Sequence, residues 1–267
     1  MLIKPFDREK VRQQFNSAQP FRWFEISPFM DEGFAQDVVN AYPTFETAQK
    51  LGFEFKAVNE QKKVQITDSS KFPGPVKRLC DALSSEAWLK DLEYITGIPR
   101  LLADEKLDGG GMHLTGAGGR LDVHVDFNFL QSQQLHRRLN ILVYLNPEWH
   151  ENWGGNIELW DREVKNRAQS FPPVLNRCVV FETNDISYHG VSPVQCPPEV
   201  ARRSFAAYYY TREAPAGWQG EMHDTIFRAR PSERLRGYVL MPLETVQRRV
   251  RHGVERVARR VKKILEQ

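Results

Sequence analysis

The stretch RRLNILVYLN, residues 137–146, decides the architecture. Leu139, Ile141, Val143 and Leu145 alternate with Arg138, Asn140, Leu142 and Tyr144. That is a period of two, which a strand obeys and a helix does not. NRCVVFETN (176–184) and RRSFAAYYYT (202–211) read as further strands, being rich in β-branched or aromatic residues. Glycine and proline punctuate the chain around them in GGGM, GAGG, NPEWHENWGGN, FPPV and CPP. Before residue 100 the period is helical. Ser27-Pro28 predicts a helix start, with proline at the first helical position, and Phe34, Val38 and Tyr42 recur until Pro43. A second helix fits 75–95, with Val76, Leu79, Cys80, Leu83, Ala87, Trp88 and Ile95 on one face and Gly97-Ile98-Pro99 ending it. Two helices followed by many short strands predict a β sandwich or barrel with helices packed outside. No strand–helix alternation appears, which excludes a Rossmann reading, and the glycines at 109–119 introduce no helix that could cradle a phosphate.

Composition agrees with a folded chain. Of 267 residues 41% are hydrophobic and 27% charged, enough for a sizeable core. No apolar run approaches the roughly 18 residues that span a bilayer. The start, MLIKPFDREKVRQQFN, lacks the apolar centre of a secretory signal, so a cytoplasmic location is expected. Cys80, Cys178 and Cys196 are odd in number and show no C-x-x-C spacing, which predicts reduced thiols. The net charge of +3 is uneven: residues 228–267 hold twelve Lys/Arg against four Glu, so the body is acidic and the tail basic. A nucleic-acid reading would therefore rest on the tail alone.

The chemistry starts at HVDFN, residues 124–128, where His124 and Asp126 are two apart. A third ligand is available in His189, within NDISYHGVSPV. Two imidazoles and a carboxylate suit iron(II), because they fill one face of an octahedron and leave three positions open. Thirteen residues past His189 comes Arg202-Arg203-Ser204. In a strand Arg202 and Ser204 share a face, so a guanidinium and a hydroxyl lie side by side and can take a carboxylate. Two alternatives stay open at this level. Asp122 is in phase with His124 and Asp126 and competes as a ligand, and a register slip of one residue would exchange Arg202 for Arg203.

His-x-Asp, a distant His, then Arg-x-Ser on a later strand resembles the iron(II)/2-oxoglutarate-dependent dioxygenases, and within them the prolyl-4-hydroxylase-like branch. The likeness runs from about residue 100 to 212 and includes LVYLNPEW followed by GGNIELW. The resemblance implies a mainly β fold with flanking helices around a double-stranded β-helix (jelly-roll) core. It implies His124, Asp126 and His189 as iron ligands, and Arg202, assisted by Ser204, on the distal carboxylate of 2-oxoglutarate. It places Tyr144 on that same carboxylate and Asn140 facing the same cavity. The implied cofactors are Fe(II), 2-oxoglutarate and O2 as cosubstrates, with ascorbate as an accessory. The implied reaction is hydroxylation of an unactivated C–H bond in a small-molecule, glycan or peptide substrate, with release of succinate and CO2. Because Asp126 is present, hydroxylation is expected rather than halogenation. The chain departs from the animal prolyl hydroxylases at Leu114, where a tyrosine often sits, and this predicts a different substrate-side lining. A non-catalytic cupin-like binding protein and a nucleic-acid-modifying dioxygenase are the competing functions.

The expected organisation is one domain over 1–240, with helical support in 1–99, the jelly roll at about 100–212 and an extension at 213–240. Residues 241–267 follow as a basic amphipathic helix. In the tail, Val246, Val250, Val254, Val257, Val261, Ile264 and Leu265 form an apolar stripe among arginines and lysines. Burial of that stripe predicts packing on the protein's own barrel, a homo-oligomer through 242–267, or peripheral contact with an anionic inner membrane face. Nucleic acid is the least favoured partner, since no aromatic residue interleaves the basic run.

Overall fold

The structure is a computed structural model that describes residues 2–233. Five helices, α1 (Arg8–Ser17), α2 (Glu32–Ala41), α3 (Phe45–Leu51), α4 (Gly74–Leu83) and α5 (Glu86–Thr96), precede most of the sheet. Three strands are interleaved with them: β1 (Trp23–Ile26), β2 (Phe53–Ala57) and β3 (Glu60–Ile66). After them come β4 (Leu102–Ala103), β5 (Gly111–Val125), β6 (Phe129–Leu130), β7 (Leu135–Tyr144) and β8 (Ile157–Trp160). The remainder are β9 (Arg167–Phe171), β10 (Cys178–Glu182), β11 (His189–Val191), β12 (Arg202–Thr211) and β13 (Ile226–Arg228).

All the strand pairings are antiparallel, in the order β1-β10-β7-β12-β5-β11-β8-β9. β5 belongs to two layers. Its first part, Met112 to Thr115, lies between β12 and β3, and its last part, near His124, pairs β11 and β13. The turn from one layer to the other falls at Gly116–Gly119, where Gly118 has φ +77° and a Cβ on Gly119 would sit 2.4 Å from Thr115. Only glycine is comfortable there. The bend is stitched to the following layer by Gly118 N–H to Val194 O (2.7 Å) and Val194 N–H to Gly119 O (2.9 Å). The sheet thus curls into an antiparallel half-barrel with helices on its outside, a jelly-roll core as expected.

Period-two alternation sorts the side chains. Leu139, Ile141 and Val143 of β7 join Val180, Phe205, Ala207 and Tyr209 in the core beneath the helices. Tyr144, Val179 and Phe181 face the other way, into a second cluster with Ile157, Leu159 and Val191. Trp88 ties the helical layer to the sheet: 2% exposed, it donates from Nε1 to Tyr209 Oη at 2.8 Å, and that hydroxyl donates to Leu83 O at 2.9 Å.

Several local expectations change. The helix expected from Ser27-Pro28 begins at Glu32, because the carboxylate of Asp31 accepts from Phe34 N–H and caps it, while Phe29 and Met30 are buried in the core. The single helix expected over 75–95 is two, broken where Ser85 Oγ accepts from Trp88 N–H and restarts the chain as α5. Gly97 ends α5 at φ +70°, as expected. Segment 1–99 is not purely helical support, since it adds strands to both β10 and β5. The three cysteines are free and buried. Among the described residues no helix is long and apolar enough to cross a membrane. The amphipathic tail expected at 241–267 lies outside the described residues.

Removing the Trp88 side chain leaves a void and takes away the donor to the Tyr209 hydroxyl oxygen. Trp88→Ala should lower the unfolding free energy by about 3–5 kcal/mol, whereas Lys90→Ala on the exposed face of the same helix should stay within about 0.5 kcal/mol. Denaturant titration of both variants checks this, and near-equal midpoints would contradict the anchoring role.

Candidate active site

The curled sheet encloses a cavity of about 240 Å³ whose lining includes His113, Thr115, His124, Asp126, Arg137, Asn140, His189, Arg202, Ser204, Tyr208 and Phe227. His124 on β5 and His189 on β11 are direct cross-strand partners, with ring centroids 4.3 Å apart. Asp126 follows immediately after β5. Its Oδ1 is 3.5 Å from His124 Nε2 and its Oδ2 3.5 Å from His189 Nε2, and one ligand atom from each of the three residues lies within 4.8 Å of the others.

The imidazoles are held in the protonation form that a metal needs. His124 Nδ1 faces Asp122 O and His189 Nδ1 faces Ser187 O, both at 2.9 Å. A carbonyl can only accept, so each Nδ1 carries a proton, which leaves Nε2, turned toward Asp126, as the nitrogen able to take a metal. Burial, reinforced by the neighbouring His124, pushes the His189 pKa down to about 3, so that ring is neutral. Burial by itself raises a carboxyl pKa, but the Arg137 guanidinium outweighs it, and the Asp126 carboxyl is held well below the usual range. Two neutral nitrogens and one carboxylate are a donor set for a divalent iron with positions left open.

The second half of the site lies on β12 and β7. Ser204 pairs with Tyr144 across the strands, and Arg202 is two residues along the same face. Arg202 Nε donates to Gly155 O at 2.6 Å and Nη1 donates to Ser204 Oγ at 3.2 Å. Its Nη2 and the Tyr144 hydroxyl are buried without a hydrogen-bond partner. A guanidinium N–H and a phenol hydroxyl left unpaired in a buried site are costly unless an anion meets them. The carboxylate of 2-oxoglutarate would satisfy both donors, and Tyr144, its pKa pushed up to about 12 by burial against the opposing pull of Arg202, is a donor at neutral pH. Arg203 faces the other way, opposite Leu114.

The remaining candidates are placed as follows. Asn140 lines the cavity, but its amide donates to Asp126 Oδ2 at 2.8 Å, so it serves the carboxylate ligand and not the Arg202 pocket. Asp122 is no ligand. Its carboxylate is taken by Arg120 at 2.6 Å, with Arg230 at 3.6 Å. Leu114 is fully buried in the helix-side core, and the cavity side of its strand is His113 and Thr115. The departure at Leu114 therefore does not touch the substrate lining. His113 is kept neutral by burial and, next, by Lys63. Of the three tyrosines, Tyr209 packs under the helices while the Tyr208 ring lies 3.6 Å from the Arg137 guanidinium.

Sequence reading missed Gly155, Arg137 and Phe227. Gly155 has φ +70°, and a Cβ there would meet Arg202 Cδ at 3.1 Å, so the glycine lets its carbonyl hold Arg202. The Gly154-Gly155 pair was visible as a signal, without its partner. Phe227, on β13, lies with its ring tilted, 5.3 Å from that of His124, and arrives from a segment with no motif.

Residues 110–210 match the 2OG-Fe(II) oxygenase superfamily model. Over 78 residues the chain is 33% identical to prolyl 3-hydroxylase OGFOD1 of Mus musculus, a match covering 28% of this chain and 14% of that protein. The chain thus spans only a small part of the curated relative it matches. Among solved structures, a prolyl-4-hydroxylase from Pseudomonas putida superposes with TM-score 0.55 at 14% identity, covering 76% of this chain and 99% of the other. A prolyl hydroxylase from Trichoplax adhaerens, in complex with a hypoxia inducible factor oxygen degradation domain peptide fragment, gives TM-score 0.54 at 17% identity, covering 76% and 88%. These structures share the fold. The family's Fe(II) and 2-oxoglutarate are the metal and cosubstrate that the His124-Asp126-His189 cluster and the open Arg202 pocket fit. The segment that carries this site, residues 110–210, matches the 2OG-Fe(II) oxygenase superfamily, and the described residues share the fold of the prolyl hydroxylases they superpose on.

Proposed function

We propose that the chain hydroxylates a neutral, apolar group presented by a polypeptide, a prolyl residue being the best fit, with release of succinate and CO2. The observation that carries the oxidative reading is the pair of orphaned buried donors, Arg202 Nη2 and Tyr144 Oη, on the same cavity as the His-Asp-His cluster. A cupin-like binding protein has no use for such a pair. Iron(II) bound with 2-oxoglutarate and oxygen supplies the oxidising power that inserts one oxygen atom into a C–H bond. His124, Asp126 and His189 would hold the metal. Arg202, Ser204 and Tyr144 would orient the cosubstrate by its distal carboxylate.

The substrate class is supported by the rest of the lining. Phe55, Phe127, Tyr208 and Phe227 surround the cavity. Among the described lining residues, every charged side chain other than Arg202 already has an opposite partner: Lys63 with Glu60, Arg120 with Asp122, Arg137 with Asp126. A charged target would be desolvated with no counter-ion, whereas an apolar ring would not. The likeness to a prolyl 3-hydroxylase points the same way. Succinate release stimulated by proline-containing peptides, with one added oxygen atom found on proline by mass spectrometry, tests the reading. Stimulation only by free small molecules would overturn it.

Loss of a metal ligand should be decisive. Asp126→Ala and His189→Ala are each expected to abolish succinate formation and to weaken iron(II) binding at least tenfold, about 1.4 kcal/mol. Wild-type turnover by Asp126→Ala would remove the assignment.

Arg202 and Arg203 separate cleanly. A buried guanidinium on a carboxylate is charge-assisted and shielded from salt, so Arg202→Ala should cost on the order of 2–4 kcal/mol of 2-oxoglutarate affinity. Its KM for 2-oxoglutarate should rise accordingly while iron binding stays near wild type. Arg203→Ala, on the opposite face, should change neither constant appreciably, and steady-state kinetics with metal titration reads both.

A further inference from the structure

Arg137 and Asn140 grip the Asp126 carboxylate from behind, and we propose that this pair fixes Asp126 as a one-oxygen ligand, keeping the remaining metal positions open for cosubstrate and oxygen. The inference rests on the metal reading of the site. Asp126 Oδ2 accepts a hydrogen bond from Asn140 Nδ2 at 2.8 Å and forms an ion pair with Arg137 Nη2 at 3.1 Å. Both oxygens lie 3.5 Å from an imidazole, Oδ1 from His124 Nε2 and Oδ2 from His189 Nε2, but Oδ1 receives neither the Asn140 nor the Arg137 contact and is the one left free. For both oxygens to turn to a metal, Oδ2 would have to loosen the Asn140 hydrogen bond and the Arg137 ion pair in a buried setting, where such contacts are strongest. A two-oxygen carboxylate would also occupy a coordination position that the octahedron needs for its other ligands.

The clamp is preorganised from both ends. Arg137 donates from Nε and Nη2 to Asn140 Oδ1, at 3.1 and 2.9 Å. Because a guanidinium has no acceptor, this fixes the amide of Asn140 with its oxygen on Arg137 and its NH2 on Asp126. Arg137 is itself 3% exposed and held between two rings, 3.6 Å from that of Tyr208 and 4.7 Å from that of Phe127. It reaches the cavity through a fault in the sheet. β7 and β12 lose register between Tyr209 (opposite Leu139) and Tyr210 (opposite Arg137). That irregularity turns Arg137 to the same side as Asn140, three residues on, which strict alternation would forbid. Neither residue touches the metal position. Both are positioning residues.

The test uses the full chain stripped of metal and titrated with Co(II) under nitrogen in the presence of 2-oxoglutarate, following the visible bands that report coordination. Wild type, Asn140→Ala, Arg137→Met and Arg137→Lys are compared, with melting of each metal-free protein recorded. Asn140→Ala and Arg137→Met should weaken Co(II) binding 10–100-fold, the usual loss when a ligand's supporting hydrogen bond is removed, and should alter the Co(II) spectrum. Arg137→Lys, which keeps the charge without the fork, should recover only part of the affinity. A Co(II) spectrum identical to wild type in Asn140→Ala and Arg137→Met would overturn the clamp, whatever the affinity does. If Arg137→Met fails to fold, Asn140→Ala carries the same test by itself. A wild-type chain that binds no Co(II) would instead overturn the metal reading, and the clamp with it.

Discussion

The carboxylate of Asp126 is buried beside two imidazoles, and an ion in that position costs several kcal/mol unless opposite charge and hydrogen bonds offset it. Arg137 and Asn140 provide that offset. The protein's own contacts therefore shape the triad. The carboxyl stays ionised, His189 stays neutral, and the Nε2 atoms of both imidazoles face one point. The protein has prepaid the ordering of its ligands, so metal affinity goes into binding rather than into folding the site.

The backbone that permits this is one strand shared between two layers. β5 passes from the helix-backed layer to the layer of β11 and β8 through a glycine bend. His113 and Thr115 lie before the bend and His124 after it, and all three line one cavity. β12 then brings Arg202 and Ser204 beside Tyr144 of β7. The helices contribute by covering the other face: Trp88, Tyr209 and Leu139, Ile141 and Val143 of β7 exclude water from the back of the layer that carries Arg202.

Charge that looks like surface in composition is partly interior. Arg230 falls in the basic C-terminal stretch, yet it is 7% exposed and pairs with Glu158 at 2.8 Å and with Asp122 at 3.6 Å. It also donates to Val191 O at 3.0 Å. This arginine docks the chain beyond β13 behind the ligand strand, and β13 carries Phe227 over His124. Part of the basic stretch is thus counter-ion to a buried acidic pair and is not available to an outside partner.

Sequence alone determined the features that depend on short periodicity. Alternation in 137–146 and 202–211 sorted Leu139, Ile141 and Val143 from Asn140 and Tyr144, and Arg202 from Arg203, because a strand turns each successive side chain to the opposite face. The spacing of His124 and Asp126 carried a metal hypothesis for the same reason. Helix boundaries were less legible, since a single capping carboxylate at Asp31 and a hydroxyl at Ser85 outweighed the apolar pattern around them. What only the tertiary structure decided was long-range or irregular. His189 became the cross-strand partner of His124 through a chain reversal of 65 residues. Arg137 entered the cavity through a break in register, Asn140 turned to Asp126, and Asp122 was claimed by Arg120 and Arg230. Periodicity says which face a residue takes, but the partner it meets there is set by strands and segments far away in the chain, and a one-residue irregularity reverses the face itself.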